Sequence, residues 1–185
     1  MPSKQAQRRK QAKDGQRRDA LSFRGLAVRA ESLNAESRTV EAVISTDTPV
    51  PMMDWERWEL VPEVLRSEGA QLPAQIPFLD NHNRWSTSDQ IGSARDIKRE
   101  GGAIVGELRF ASSADEQWNL VREGHITDVS AGYQVLEKTF VPRGTTQKVM
   151  GRDYIGPVNV VTRWKLREVS LTPIGADEQA KLRGF

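Results

Sequence analysis

The sequence predicts a β-rich α+β domain over residues 20–185, preceded by a basic arm over residues 1–19. Three observations predict it. Short apolar runs alternate with a period of two along most of the chain. One segment alone carries clear helical spacing with a start and a stop signal. A glycine pair and several prolines punctuate the runs where turns are needed. A length of 185 residues suits one domain with a sizeable core, and 37% hydrophobic with 28% charged residues is ordinary for a globular chain.

The net charge of +2 conceals an uneven distribution. Lys4, Arg8, Arg9, Lys10, Lys13, Arg17 and Arg18 crowd the first 19 residues against Asp14 and Asp19. The remaining body holds 20 basic and 23 acidic side chains, near −3. The arm has no large apolar residues to offset the entropy of ordering, so it is expected to be disordered or a frayed helix. Phosphate contacts are open to such an arm, as are a solvated tail and an address for an acidic partner. With no interleaved aromatics, nucleic acid is not the expected partner.

The elements follow in order. "FRGLAVRAES" and "RTVEAVISTDTPV" read as strands, the second with Val40, Ala42 and Ile44 on one face. "DWERWELVPEVLRSEGA" reads as a short helix or a loop, bounded by Pro62 and Gly69. Residues 91–97 and 103–110 flank a Glu100-Gly101-Gly102 turn and form a hairpin. Ser113 and Glu116 form an S-x-x-E capping box for a helix with Ala114, Trp118 and Val121 on one face, ended by Gly124. "ITDVSAGYQVLEKTF" alternates as a strand, with Val129, Ala131, Tyr133 and Val135 on one face and Ser130, Gly132 and Gln134 on the other. "VPRGTTQKVMGRDYIGP" reads as a loop, and "VNVVTRWKLREVSLTP" as the last strong strand.

Several chemistries find no support. No apolar run is long enough to span a membrane, and no secretory h-region opens the chain. The absence of cysteine excludes disulfides and thiolate chemistry and makes an intracellular compartment the simplest expectation. Two histidines, His82 and His125, cannot build a structural zinc site, and nothing in the spacing favours a His82, His125 and Asp80 metal site. No phosphate-cradling glycine loop is present.

Serine chemistry has better support. A serine hydroxyl attacks only when a base takes its proton; imidazole suits that role, and a third group must hold the ring in one tautomer. Ser130 lies in mid-strand opposite the apolar face, with Gly132 two residues on to clear space for a substrate backbone. By itself it reads as a small polar residue on a solvated face. In the last strand the apolar positions change parity, from Val160, Trp164 and Leu166 to Val169 and Leu171. A bulge around Arg167 and Glu168 explains the change and turns Glu168 and Ser170 to the same side as Ser130. Glu168 alone would be an ordinary surface carboxylate. Asp80 and Asp128 are rival orienting groups, and His125 reads as structural.

Taken in order, "DNHN", "GHITDVSAGY" and "LREVSLTPIGADEQA" resemble the maturation proteases of tailed-bacteriophage proheads, serine endopeptidases related in fold to the herpesvirus assemblins. The resemblance covers residues 21–182. It implies His82 as general base, Ser130 as nucleophile and Glu168 as orienting acid. It further implies a compact antiparallel β-barrel ringed by a few helices, with the triad shallow on its outer face. No cofactor or metal is implied. The expected substrates are scaffold or major capsid protein segments and the chain itself, cut inside assembling procapsids in the cytoplasm of the bacterial host; a homodimer is compatible with it. The family's usual RPAN-like ending is replaced by "TPIGADEQA". The oxyanion donors therefore stay open between loop amides near Gly175 and Ala176 and an amide beside Ser130. The competing expectation is a non-enzymatic capsid-assembly or scaffold protein on the same fold, binding partners through its basic arm.

Overall fold

A computed structural model describes residues 32–174 and the backbone of residues 22–27. The expected arm, residues 1–19, lies outside the described residues. Twelve strands are described: β1 (Ser22–Ala27), β2 (Thr39–Thr46), β3 (Val50–Asp54), β4 (Glu59–Leu65), β5 (Ala70–Gln71), β6 (Gln75–Asp80), β7 (Gln90–Glu100), β8 (Ala103–Phe110), β9 (Asp128–Val141), β10 (Thr146–Val149), β11 (Arg152–Ile155) and β12 (Val158–Thr172). One α-helix, α1 (Asp115–Arg122), stands between β8 and β9.

The spine is β12. It pairs antiparallel with β9 along nearly its whole length and, on its other edge, parallel with β4, β5 and β6 in succession. The main path runs β1-β9-β12-β6-β7-β8-β2. Because both edges of β12 are occupied, most of its residues are buried even though apolar and polar side chains alternate along it. Trp164 and Leu166 are fully buried, and the Trp164 indole donates to the Arg66 carbonyl at 2.8 Å.

The β-rich α+β expectation holds, and the barrel is met only in part. Among the described residues the paired path ends at β1 and β2, which lie against each other without ladder hydrogen bonds, the sheet is mixed rather than antiparallel, and one α-helix stands where a few were expected. The parallel pairs arise because β4, β5 and β6 all return along the same edge of one long strand.

Local chemistry explains the elements. Val40, Ala42 and Ile44 of β2 all face the core. The β7–β8 hairpin closes on Gly101 and Gly102, at φ +57° and +85°, the two left-handed positions of a tight hairpin turn that glycine adopts without strain. Helix α1 buries Trp118 and Val121, and Phe110 bridges Trp118 to Phe78 with ring centroids 5.3 and 5.0 Å apart. Gly124, at φ +77°, ends the helix as expected. The capping box does not form: Ala114 occupies the cap position and no side chain caps the helix. Asp115 and Glu116 in its first turn complement the helix dipole instead.

Two segments differ from the sequence expectation. "DWERWELVPEVL" is neither helix nor loop but the turn and second strand of a β3–β4 hairpin, with Pro51 opposite Pro62. Trp55 and Trp58 stand exposed at its tip, edge to face at 5.6 Å. Asp54 closes the turn by accepting from the Glu56 amide and the Arg57 guanidinium, so turn hydrogen bonds rather than periodicity decide this region. The expected loop at residues 141–157 contains the β10–β11 hairpin, where Val149 joins Val64, Val141, Val158 and Val160 in a second apolar cluster.

Candidate functional site

The site is assembled where β6 leaves the sheet beside the end of β12. Strand β6 pairs parallel with β12 through Val169–Phe78, Ser170–Leu79 and Leu171–Asp80. Immediately after it, Asn81 and His82 both take left-handed backbone conformations, φ 48° and 61°. Asparagine and histidine enter this region more readily than most residues, which accounts for the polar run "DNHN" after an apolar strand. The Asn81 amide donates to the Leu171 carbonyl at 2.9 Å, and the His82 amide donates to Ser170 Oγ at 3.1 Å. Two bonds to β12 thus anchor the turn that carries the imidazole.

The β12 bulge lies where the parity change placed it. Leu166 opposes Tyr133, while Glu168 opposes Gly132, so Leu166–Glu168 advances two residues on β12 for one on β9. After this shift Val169 and Leu171 enter the core, and Glu168 and Ser170 share the opposite face with Ser130, which lies directly across from Ser170.

Three side chains then converge. His82 Nδ1 is 2.9 Å from Glu168 Oε1, and Ser170 Oγ donates to Glu168 Oε2 at 2.7 Å. Both carboxylate oxygens are therefore engaged. With Nδ1–H donating to Glu168, the Nε2 lone pair is the ring's acceptor, which is the tautomer a general base needs. The arrangement is not shallow. Ser130 and Glu168 are each only 4% exposed, and the His82 ring, about 20% exposed, is the group's opening to solvent.

Gly132 has a different role from the one its spacing suggested. The space above it is filled by Glu168, whose Oε1 lies 2.1 Å from where a Cβ would be. The glycine admits the carboxylate rather than a substrate backbone. The rival orienting groups point elsewhere: Asp80 accepts from Gln117 Nε2 at 3.0 Å, and Asp128 from Thr127 Oγ1 at 3.2 Å. His125 is exposed, with Nε2 at 3.6 Å from Glu123. Gly175 and Ala176, the suggested oxyanion donors, lie outside the described residues.

Ser170 is the residue that sequence reasoning placed on the right face without a role. It touches both the His82 amide and Glu168, and its parity with Glu168 was the available signal. Among the described residues no three histidine or acidic side chains gather as a metal site. No helix there is long and apolar enough to cross a membrane.

The chain is 28% identical over 142 residues to the major capsid protein of Halomonas phage phiHAP-1, covering 72% of this chain and 21% of that protein. It is 24% identical over 119 residues to the capsid polyprotein of Pseudomonas phage PAJU2, covering 60% and 16% respectively. The chain thus spans about a fifth or less of the length of these relatives. No family model and no solved structure matches. This distant similarity relates the chain to phage capsid proteins and supports a capsid-related role.

Proposed function

We propose that the chain is a serine endopeptidase acting on capsid-assembly proteins during phage maturation, with Ser130 as nucleophile, His82 as base and Glu168 as the orienting carboxylate. The observation that carries this reading is the 2.9 Å contact of His82 Nδ1 with a carboxylate that reaches it only because residue 132 is glycine.

In this reading Ser130 Oγ attacks the scissile carbonyl as His82 Nε2 takes its proton. The imidazolium, stabilised by Glu168, then protonates the leaving amine. Water, activated by the same ring, hydrolyses the acyl-enzyme and restores Ser130. The substrates are capsid or scaffold segments and the chain itself, within assembling particles in the bacterial host.

A second reading has its own support. Both relatives are named for capsid proteins and neither name includes a hydrolase, which fits a non-enzymatic assembly role slightly better. In that case the His82, Glu168 and Ser170 group is an internal brace joining β6 to β12, and the exposed Trp55 and Trp58 tip is available for contacts between proteins. Co-expression of the chain with the capsid protein of the same phage, followed by intact mass measurement, separates the two. Cleaved products with the wild type and none with Ser130→Ala support the protease. Identical, uncut products with both support the assembly protein.

A further inference from the structure

Beside Glu168, the carboxylate that holds His82, lies a cleft of about 410 Å³, walled by Leu79 and Trp85 and rimmed by Arg84 and Arg167. It continues, through the shared residues Thr87 and Gln90, into a second depression of about 370 Å³ bordered by Arg95 and Arg109. Four guanidiniums therefore follow one groove away from the candidate site. Among the described residues Arg84, Arg167 and Arg109 make no ion pair or side-chain hydrogen bond, and Arg95 contacts only Ser93 Oγ, at 3.1 Å.

Among the described residues the nearby carboxylates do not neutralise them. Glu168 is engaged through both oxygens, and Asp89 Oδ2 accepts from the Trp85 and Ser86 amides at 2.9 and 2.8 Å. Guanidiniums left in this state on a partly enclosed surface favour carboxylates, which they can grip through two parallel bonds. The apolar walls suit the methylene stem of such a side chain, since Trp85 is 89% exposed and Leu79 lies beneath it. A nucleic-acid strand fits less well, because its phosphates would have to pass the Glu168 carboxylate at the head of the groove.

We propose that this groove binds an acidic polypeptide segment, with a Glu or Asp side chain seated between Arg84 and Arg167 next to the reacting bond. The position of that bond rests on the protease reading; the preference for an acidic segment does not. The test uses two labelled ten-residue peptides, alternating Ala-Glu and alternating Ala-Gln, and a ten-residue oligo-dT, each titrated into the full-length Ser130→Ala chain by fluorescence anisotropy. The Ala-Glu peptide should bind at least roughly tenfold more tightly than Ala-Gln, as expected for one or two charge-assisted contacts. Arg84→Gln and Arg167→Gln, both at exposed positions, should each lower that preference several-fold with unchanged melting. Equal binding of the two peptides, indifference to both substitutions, or tighter binding of oligo-dT would overturn the proposal. Selective binding by Ser130→Ala without cleavage by the wild type would sustain the groove and sink the protease. Cleavage of capsid protein by the wild type with no Glu over Gln preference would do the reverse.

Discussion

Glu168 occupies the space that any side chain at residue 132 would need. An ideal Cβ on Gly132 would lie 2.1 Å from Glu168 Oε1 and 2.7 Å from its carboxyl carbon. The two residues are direct cross-strand partners on β9 and β12, so the glycine and the position of the carboxylate form one feature.

Gly132→Ala should therefore displace Glu168 from His82. The added methyl meets the carboxylate itself, and relieving the clash in a packed strand pair costs roughly 1–3 kcal/mol. Urea unfolding should show that loss, and proteolytic turnover should fall together with it. An alanine variant as stable and as active as the wild type would mean that Glu168 does not need its present place.

Ser130→Ala should abolish cleavage while leaving the melting temperature nearly unchanged. The substitution removes one hydroxyl at a small strand position, where the expected change in stability is within about 1 kcal/mol. Turnover that persists in this variant would remove Ser130 from the chemistry.

Glu168→Gln should lower kcat by roughly 10² to 10⁴, because the amide cannot stabilise an imidazolium and can hold the wrong tautomer. Combined with His82→Ala it should add little to the loss from His82→Ala alone, since the carboxylate acts through the ring. Multiplying losses would show that Glu168 acts independently of His82.

Ser170→Ala should destabilise the chain by roughly 1–3 kcal/mol, because it strips a buried carboxylate of one donor and the His82 amide of its acceptor. If the protease reading holds, kcat should fall with KM little changed, as the hydroxyl positions the ring without reaching substrate. A drop in KM affinity alone would assign Ser170 to binding.

Asp54 gives a prediction independent of any activity. Burial alone would raise its pKa, but hydrogen bonds from Asn159, Arg57 and the Glu56 amide, together with the Lys138 charge, hold it down at about 2. The unfolded chain takes up this proton near pH ~4, so the carboxylate's contribution is full above that value and is lost as pH falls toward 2. Asp54→Asn should cost on the order of 2 kcal/mol at pH 7, with the gap to wild type closing by about pH 2. Urea unfolding at both values checks it, and a gap that does not depend on pH would assign the effect to packing.

The period-two runs of β2, β8 and β9, the Gly101-Gly102 hairpin and the Gly124 helix stop were legible because each depends on neighbours in the chain. So was the β12 bulge: Leu166 and Val169 must both face the core, and a strand can meet that demand only by adding a residue between them. Local patterns misled where contacts formed at a distance decide the outcome. The Trp55–Trp58 segment became a hairpin turn because Asp54 is fixed by Asn159 of β12, 105 residues away. Residues 146–155 became a hairpin because Val149 and Tyr154 pack on Val64 and Val160. At the site, the sequence supplied the residue types and the faces of Ser130 and Glu168. Only the tertiary structure brought His82 against Glu168, 86 positions away, placed Ser170 beneath both, and filled the space over Gly132. Those contacts depend on the parallel register of β6 on β12, and a register between strands so distant in sequence leaves no periodic trace in either one.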